Sequence, residues 1–274
     1  MSILKYIIVF FLTCEARMLL YRKKPKIIVI SGSVGKTTTK DAIYHVLRER
    51  GHVRKSQKSF NSDVGVPLTI LGLDNAWRSP LGWISNLWSG YRAIWSKVPY
   101  PDTLILEVGS DHPGDIKKLM KWLHPHVAVL TSLPEVPVHV EHFTSPEELH
   151  AEDSAVLYAL GVGGIFVGNV DDPRVHELMS KSSEINVRMV GYGFGKHADV
   201  RGMFPTIRYA QNEGVSAPMG MQFSVKDESM SMPVYIERVI GLPACSATLA
   251  AIAVGVALDM RLPKIIDEVM TFNS

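Results

Sequence analysis

The sequence predicts an α/β fold, namely a three-layer α/β/α domain with a mostly parallel sheet and a small β-rich insertion. A run of β-branched residues is followed by a glycine-rich turn and then by apolar residues at helical spacing. The same alternation recurs along the chain, which is typical of parallel sheets that carry helices on both faces. Residues 195–240 instead combine short alternating segments with glycine-rich turns, which favours antiparallel strands.

Periodicity gives the expected bounds of the main elements. Strands are predicted where apolar runs are short, over residues 26–30, 103–108, 127–131 and 164–167. Helices are predicted where apolar residues recur every three or four positions, over residues 38–50, 114–123, 146–160 and 244–258. The alternation predicts helical crossovers between parallel strands.

Residues 1–24 are predicted to form an N-terminal amphipathic helix, and the main domain is expected over residues 25–274. Lys5, Glu15 and Arg17 interrupt its apolar stretch, and the uncharged part is well short of the roughly 20 residues that span a bilayer. One helical face is expected to carry Leu4, Ile7, Ile8, Phe11, Met18 and Leu19. Either the helix packs on its own domain, or its basic end helps it to attach to the inner face of a membrane.

A second apolar stripe lies between residues 81 and 96. Its members are Trp83, Leu87, Trp88, Tyr91, Ile94 and Trp95. Packing in the core explains such a stripe, and so does docking beside the N-terminal helix at a membrane surface, because tryptophan favours that interface.

Composition narrows the function classes. The 29 basic and 27 acidic residues leave a net charge of only +2, so we expect no nucleic-acid partner. The two cysteines, Cys14 and Cys245, form no disulfide framework, which favours a reducing compartment and a cytoplasmic protein.

A phosphate-binding loop follows the first predicted strand. Its residues are Ser31, Gly32, Ser33, Val34, Gly35, Lys36, Thr37 and Thr38. Glycines allow backbone N–H groups to point at phosphate oxygens at a helix N-terminus, and the lysine reaches the terminal phosphates. The longer common form of the motif has glycine where this chain has Ile30, so a chance glycine–lysine turn is the alternative. The strand before the loop and the helix after it favour ATP binding.

Glu107 ends the strand predicted over residues 103–108, at the sheet edge where such folds bind ligands. We expect this carboxylate and the Thr37 hydroxyl to hold the Mg²⁺ that bridges the nucleotide phosphates. The alternative is a strand-end acid that simply faces water.

Several motifs in a fixed order resemble the Mur ligase family, and most closely its MurF group. They are Ser31-Gly32-Ser33-Val34-Gly35-Lys36-Thr37-Thr38-Thr39-Lys40, Phe60-Asn61-Ser62-Asp63-Val64-Gly65-Val66-Pro67, Leu106-Glu107-Val108-Gly109-Ser110-Asp111-His112-Pro113-Gly114-Asp115, Val138-His139-Val140-Glu141-His142-Phe143 and Gly168-Asn169-Val170-Asp171-Asp172-Pro173. The resemblance covers about residues 26–260, the central ATPase domain of that family.

The resemblance implies an ATP-dependent amide ligation in peptidoglycan precursor synthesis, through an acyl phosphate. Its substrates would be a UDP-muramoyl-peptide and an amino acid or dipeptide. Lys36, Glu107 and His139 would be catalytic, with Thr37 and Glu107 on one Mg²⁺ and His139 on a second. The resemblance also implies that Asn61 and Asp63 lie near the substrate.

The sequence departs from the family in four ways, one of which is a segment before His139 that is two residues longer. Asp153 stands where family members have a carbamylated lysine on the second metal, so this shorter carboxylate is the candidate ligand there, and it either reaches that metal through water or fails to hold it. The segment Gly241-Leu242-Pro243-Ala244 lacks the polar residues that contact the nucleotide in the family. The family's UDP-binding and C-terminal domains are not recognised.

These departures leave the function open between several alternatives. The chain is a fragment, a short form that needs a partner, or a non-catalytic relative that binds a nucleotide or a partner, with peripheral membrane contact through residues 1–24. An unrelated P-loop ATPase or kinase would need a second acidic strand motif and a base, neither of which the sequence identifies.

Overall fold

A computed structural model describes residues 3–57, 60–135, 142–182, 184–212 and 215–271. The strands are β1 (Lys26–Ser31), β2 (Val53–Lys55), β3 (Thr103–Glu107), β4 (Val127–Leu130), β5 (Ile165–Asn169), β6 (Arg188–Gly193), β7 (Val200–Asn212), β8 (Val215–Lys226) and β9 (Ser231–Glu237). The helices are α1 (Ile3–Lys23), α2 (Lys36–Leu47), α3 (Gly65–Leu71), α4 (Pro80–Trp95), α5 (Asp115–Met120), α6 (Pro146–Asp153), α7 (Ala155–Tyr158), α8 (Pro173–Lys181), α9 (Leu242–Ala257) and α10 (Leu262–Met270).

The strands form one sheet in the order β2-β3-β1-β4-β5-β6-β7-β8-β9. Strands β1 to β6 are parallel to their neighbours, whereas β7, β8 and β9 form antiparallel pairs. The residues predicted as a β-rich insertion therefore extend the main sheet at one edge. The predicted α/β fold with a mostly parallel sheet is confirmed.

Two apolar cores cover the two faces of the sheet, because alternate residues of each strand point to opposite sides. In β1, Ile28 and Ile30 pack in the core shared with α2, α9 and α10. Ile27 and Val29 pack in the other core, which is shared with α1, α3, α4, α5, α7 and α8. This arrangement gives the three layers that the sequence predicts.

Several helices end earlier than predicted or are divided in two, although the apolar spacing continues beyond their ends. Residues 48–50 form a 3₁₀ turn after α2, and α5 ends at Met120. The helix predicted over 146–160 is divided at Ser154 into α6 and α7. Strands β2 and β6 and helices α3, α8 and α10 were not predicted.

Helix α1 packs against α3 and α4 through a buried stripe of Ile8, Leu12, Ala16 and Leu19. This stripe shares Ile8 and Leu19 with the predicted face. The other predicted members whose side chains are described, namely Ile7, Phe11 and Met18, are about half exposed. Within the described residues, no helix is both long enough and apolar enough to cross a bilayer.

Glu15 lies on α1 where that helix approaches α4. Its Oε2 atom is buried and makes no hydrogen bond, and a methyl group on Gly90 would collide with it. Burial raises the pKa of the Glu15 carboxyl from 4.5 to about 7. The protonated form is therefore favoured in the folded chain over a pH range in which the unfolded chain is ionised.

We expect the free energy of unfolding to fall as the pH rises from about 4.5 to about 7 and to level off above that range, because the folded state there binds more protons than the unfolded state. Urea denaturation at a series of pH values measures this slope. Glu15→Gln should flatten it, whereas Glu228→Gln, at an exposed position, should leave it unchanged. An unchanged slope in Glu15→Gln would contradict the assignment.

Candidate nucleotide-binding site

The candidate site lies at the carboxyl ends of three adjacent strands, β3, β1 and β4. Pairing of Ile30 with Glu107 and of Ser31 with Leu130 brings these three ends level. The edge formed by such ends is where open parallel sheets bind ligands. The order of the strands therefore places Glu107 beside the phosphate-binding loop, as the sequence predicts.

The loop is fastened to the end of β4. The Thr131 hydroxyl donates a hydrogen bond to the Val34 carbonyl at 2.7 Å, and the Ser33 N–H donates one to the Ser132 carbonyl at 3.0 Å. Gly32 has a φ of 122°, and a Cβ there would collide with Thr131 Oγ1. Only glycine fits this position without moving the end of β4.

Gly35 turns the loop into helix α2. It is the N-terminal cap of α2 with a φ of 84° and a ψ of 0°, a left-handed conformation that glycine adopts without strain. No side chain caps the helix. The first N–H groups of α2 therefore remain available to an anion, and Thr38 lies in this first turn.

Lys36 and Thr37 open α2 on the side of the site. The Lys36 ammonium donates a hydrogen bond to the Gly32 carbonyl across the loop. The Thr37 hydroxyl lies 3.0 Å from Glu107 Oε2 and 3.2 Å from Oε1. The predicted pair of hydroxyl and carboxylate is thus brought together.

Glu107 is almost fully buried, with only 2% of its surface exposed. Lys40, one turn after Lys36, forms an ion pair with Glu107 Oε2 at 3.3 Å and is itself buried. The Glu107 N–H donates to the Ser56 hydroxyl at 3.1 Å. The alternative that Glu107 simply faces water is therefore wrong.

Lys40, Ser56 and Thr131 contact predicted site residues but were not themselves predicted. Spacing alone offered a signal for Lys40, because residues four apart on a helix share a face. Ser56 and Thr131 stand at strand ends with no local motif, so only the sheet order identifies them.

Asn61 reaches the site from the segment before α3. The Gly109 N–H donates to the Asn61 carbonyl at 3.1 Å, and the Asn61 amide and the Lys36 side chain both lie close to Gly109. Asp63 is partly exposed near the start of α3. Asn61 is therefore beside Lys36 of the predicted phosphate-binding loop.

Asp153 ends α6 directly against the phosphate-binding loop. Its carboxylate accepts hydrogen bonds from the Ser31 hydroxyl at 3.0 Å and the Ser33 hydroxyl at 3.5 Å. Burial raises the pKa of the Asp153 carboxyl, while nearby Lys36 and the Ser31 hydrogen bond oppose that rise. Asp153 thus lies within the electrostatic reach of Lys36.

His139 lies outside the described residues. Its neighbour in sequence, His142, stacks on His112 with ring centroids 4.3 Å apart. Among the residues that the structure describes, no group of three or more His, Cys, Asp or Glu side chains could hold a metal ion.

The donor set fits a phosphate-bridging Mg²⁺ better than an all-protein metal site. Mg²⁺ in such sites takes one or two protein oxygens and completes its shell with waters and substrate phosphates. Thr37 and Glu107 present two oxygen-bearing side chains of this kind side by side. The nearby Ser110 hydroxyl is buried without a hydrogen-bond partner among the described residues, so it remains available to a ligand.

We expect Gly32→Ala to lose about 2–4 kcal/mol of stability, because the new methyl group collides with Thr131 and the backbone is left-handed. Gly163→Ala is the matched control, since Gly163 also has a positive φ but a methyl group there would meet no atom within 4 Å. It should lose only about 1–2 kcal/mol. Chemical denaturation measures both, and equal losses would contradict the fastening role of Thr131.

Sequence comparison identifies similar proteins. A profile of the Mur ligase middle domain matches residues 30–79 and 90–255. The UDP-N-acetylmuramoyl-tripeptide--D-alanyl-D-alanine ligase of Bacillus subtilis is 25% identical over 232 residues, which cover 84% of this chain and 41% of that protein. The ligase of the same name from Mycobacterium leprae is 31% identical over 171 residues, covering 62% and 28%. The chain thus spans less than half the length of these relatives.

Solved structures show the same fold. MurF from Acinetobacter baumannii superposes with a TM-score of 0.74 at 19% identity, covering 96% of this chain and 49% of that one. MurF from Thermotoga maritima, in complex with ADP, gives a TM-score of 0.71 at 20% identity, covering 97% and 52%.

Proposed function

The chain belongs to the Mur ligase family through its middle domain, and on that premise we propose that it is the ATP-binding core of an amide ligase for peptidoglycan precursors. The observation that carries the proposal is the contact between Thr37 and Glu107 at the N-terminus of α2. The likeness to a MurF that was solved with ADP supports a nucleotide at this place.

The proposed reaction has two steps. A substrate carboxylate oxygen attacks the γ-phosphorus of ATP, the bond to the bridging oxygen breaks, and ADP leaves with an acyl phosphate formed. The nitrogen of the amino substrate then attacks the acyl carbon, phosphate leaves, and the nitrogen loses a proton to give the amide. Both steps require positioning and neutralisation of negative charge more than covalent chemistry by the protein.

Lys36 is the proposed catalytic cation. Its ammonium donates a hydrogen bond to the Gly32 carbonyl, so it lies at the loop that would hold the terminal phosphates. Residues 31–38 would cradle the phosphates through backbone N–H groups. Thr37 and Glu107 would hold Mg²⁺, which neutralises phosphate charge when bound.

The second metal position is part of the same proposal. Asp153 contacts the loop hydroxyls and lies near Lys36, so its carboxylate could meet a second cation through water. His139 is the other proposed ligand. Asn61 and Asp63 would lie along the path of the carboxylate substrate, and the location of Asn61 beside Gly109 supports this.

The proposed partners are a UDP-muramoyl-peptide and an amino acid or dipeptide, and the proposed compartment is the cytoplasm. The curated relatives, which are named for the addition of D-alanyl-D-alanine to a UDP-N-acetylmuramoyl-tripeptide, support this choice.

A second candidate is a non-catalytic relative that binds a nucleotide or a partner. The described contacts of Asp153 favour it, because this carboxylate is occupied with the hydroxyls of the loop. Helix α9 favours it too, since Gly241 offers no side-chain cap and Leu242 is exposed where polar contacts to a nucleotide were expected.

We expect Lys36→Ala to weaken Mg-ATP binding by about tenfold or more, because it removes the cation that meets the terminal phosphates. Isothermal calorimetry with and without Mg²⁺ measures this. Lys121→Ala, an exposed lysine outside the site, is the matched control and should bind normally.

The same titration separates the metal ligands. Glu107→Gln should reduce the Mg²⁺-dependent part of binding more than His142→Ala, since Glu107 contacts Thr37 while His142 stacks on His112. Circular dichroism checks that Glu107→Gln is folded. Equal effects of the two variants would overturn the assignment of Glu107 as a metal ligand. Mg-ATP binding that is unchanged in Lys36→Ala would overturn the proposed nucleotide site.

Turnover distinguishes the two candidate functions. With Mg-ATP, a UDP-muramoyl-tripeptide and D-alanyl-D-alanine, the ligase proposal expects one ADP and one phosphate for each amide, detected by mass spectrometry and a phosphate assay. Lys36→Ala should lower that rate by about 100-fold or more, and Lys121→Ala should not. Tight Mg-ATP binding without any ADP formation would support the non-catalytic candidate instead.

A further inference from the structure

The outer side of α4 carries an exposed apolar stripe that does not pack on the domain. Its members, spaced along one side of the helix, are Leu81, Ile84, Trp88, Tyr91 and Trp95. The opposite side of α4 holds Gly90 and Ile94, which are buried. Of the six residues of the stripe predicted between residues 81 and 96, Trp88, Tyr91 and Trp95 are exposed, Ile94 is buried, and Trp83 and Leu87 are partly buried.

Helix α1 has a similar second face. The side opposite its buried stripe carries Tyr6, Phe10 and Tyr21, which are at least 60% exposed. Ordinary surface helices are polar on the solvent side, and a helix that is apolar all round is normally covered. Two neighbouring helices of this domain thus share an unusual pattern.

The two exposed faces adjoin because α1 and α4 run side by side in the same direction. At one end, Lys5 lines the same cavity as Pro80 and Trp83. At the other end, the Arg22 guanidinium lies 4.4 Å from the ring centre of Trp95, and Lys23 donates to the Ser96 carbonyl at 2.8 Å. We call the exposed sides of α1 and α4, with the segments that flank them, the α1/α4 face.

The charges on the α1/α4 face have one sign. Residues 3–24 and 76–98 contain the cations Lys5, Arg17, Arg22, Lys23, Lys24, Arg78, Arg92 and Lys97. Their single acid is Glu15, whose Oε2 is buried between the helices and whose pKa is raised to about 7. The exposed face therefore presents aromatic rings among positive charges without an exposed carboxylate from these segments.

We propose that the α1/α4 face docks on an anionic lipid bilayer, with the two helices lying in the plane of the membrane. Tryptophan and tyrosine favour the depth of the lipid headgroups, where the ring is partly in hydrocarbon and its polar atom stays hydrated. Four of the five tryptophans, Trp77, Trp83, Trp88 and Trp95, lie in this region. Lysine and arginine side chains around the rings extend to lipid phosphates.

The chemistry of the face distinguishes a lipid surface from a second copy of the chain. Two copies that pair through this face would bring their arginines and lysines together, and like charges at an interface are unfavourable. An anionic bilayer supplies negative charge over the whole face and needs no matching shape. The loop that carries Ser62 and Val64 lines the same cavity as Lys5 and Trp83, so docking would hold the candidate site close to the membrane.

The test uses the full chain with vesicles of phosphatidylglycerol and phosphatidylcholine in equal parts, and with pure phosphatidylcholine vesicles as the neutral probe. Co-sedimentation measures the partition coefficient, and a blue shift of tryptophan fluorescence reports entry of the rings. We expect binding to the anionic vesicles only, weakened by added salt because charges attract the chain to the surface.

Two pairs of variants test the face itself. Arg17→Glu/Arg92→Glu should lower the partition coefficient about tenfold or more, whereas Lys226→Glu/Lys264→Glu changes the net charge equally at exposed sites elsewhere and should lower it much less. Trp88→Ser, at a side chain that is 62% exposed, should lower it about fivefold. Tyr209→Ser, at a side chain 56% exposed on β7, should leave it unchanged.

Equal binding to neutral and anionic vesicles, or equal losses in the test and control variants, would overturn the proposal. A second outcome would also overturn it: light scattering detects dimers of the chain, Trp88→Ser abolishes these dimers, and the chain does not bind vesicles. Trp88→Ser should retain Mg-ATP binding, so a failure of membrane docking is distinguishable from a failure of the proposed ligase function.

Discussion

The buried contact of Glu107 with Thr37 and Lys40 is the constraint on which the candidate site depends. A carboxylate that is 2% exposed loses its hydration, and an ion pair at 3.3 Å with two contacts from a threonine hydroxyl offsets that loss. The contact also joins β3 to the first turns of α2, so it fixes the helix whose N-terminus forms the phosphate site. Removal of one partner from such a pair costs about 3–5 kcal/mol, since a buried charge is left unpaired.

The same contact makes metal binding a competition. Both oxygens of Glu107 contact the hydroxyl of Thr37, the other proposed ligand of the same ion, and Oε2 also pairs with Lys40, so a bound magnesium ion would compete with that ammonium for the carboxylate. Asp153, at the proposed second metal position, has no cationic partner of this kind among the described residues and contacts hydroxyl groups instead. Asp153 contacts the hydroxyls of Ser31 and Ser33, and an aspartate has too short a side chain to hold these and reach far into the site. Its carboxylate therefore stabilises the loop in the structure as it stands.

Sequence reasoning identified the parts of the fold whose signal is local. The runs at β1, β3 and β4 are continuous and apolar because both faces of the sheet are covered, and the glycines of the loop stand where the backbone is left-handed. Ser56 and Thr131 could not be identified in this way, because each acts through a strand that becomes its neighbour only in the folded sheet. The break at Ser154 and the rotation of the buried stripe on α1 are likewise set by packing, which periodicity does not record.

Helix α1 is apolar on its exposed side as well as on its buried side. Its buried stripe of Ile8, Leu12, Ala16 and Leu19 stabilises the domain by packing on α3 and α4, as any surface helix does. Stability does not require the rings of Tyr6 and Phe10 on the other side, and water alone would disfavour a patch of this kind. Glu15 is the one acid of the helix, and its Oε2 atom is buried at α4 rather than exposed on the outer side. Both features fit a face that meets hydrocarbon and anionic headgroups, where apolar rings and cations are favoured and an exposed carboxylate is not.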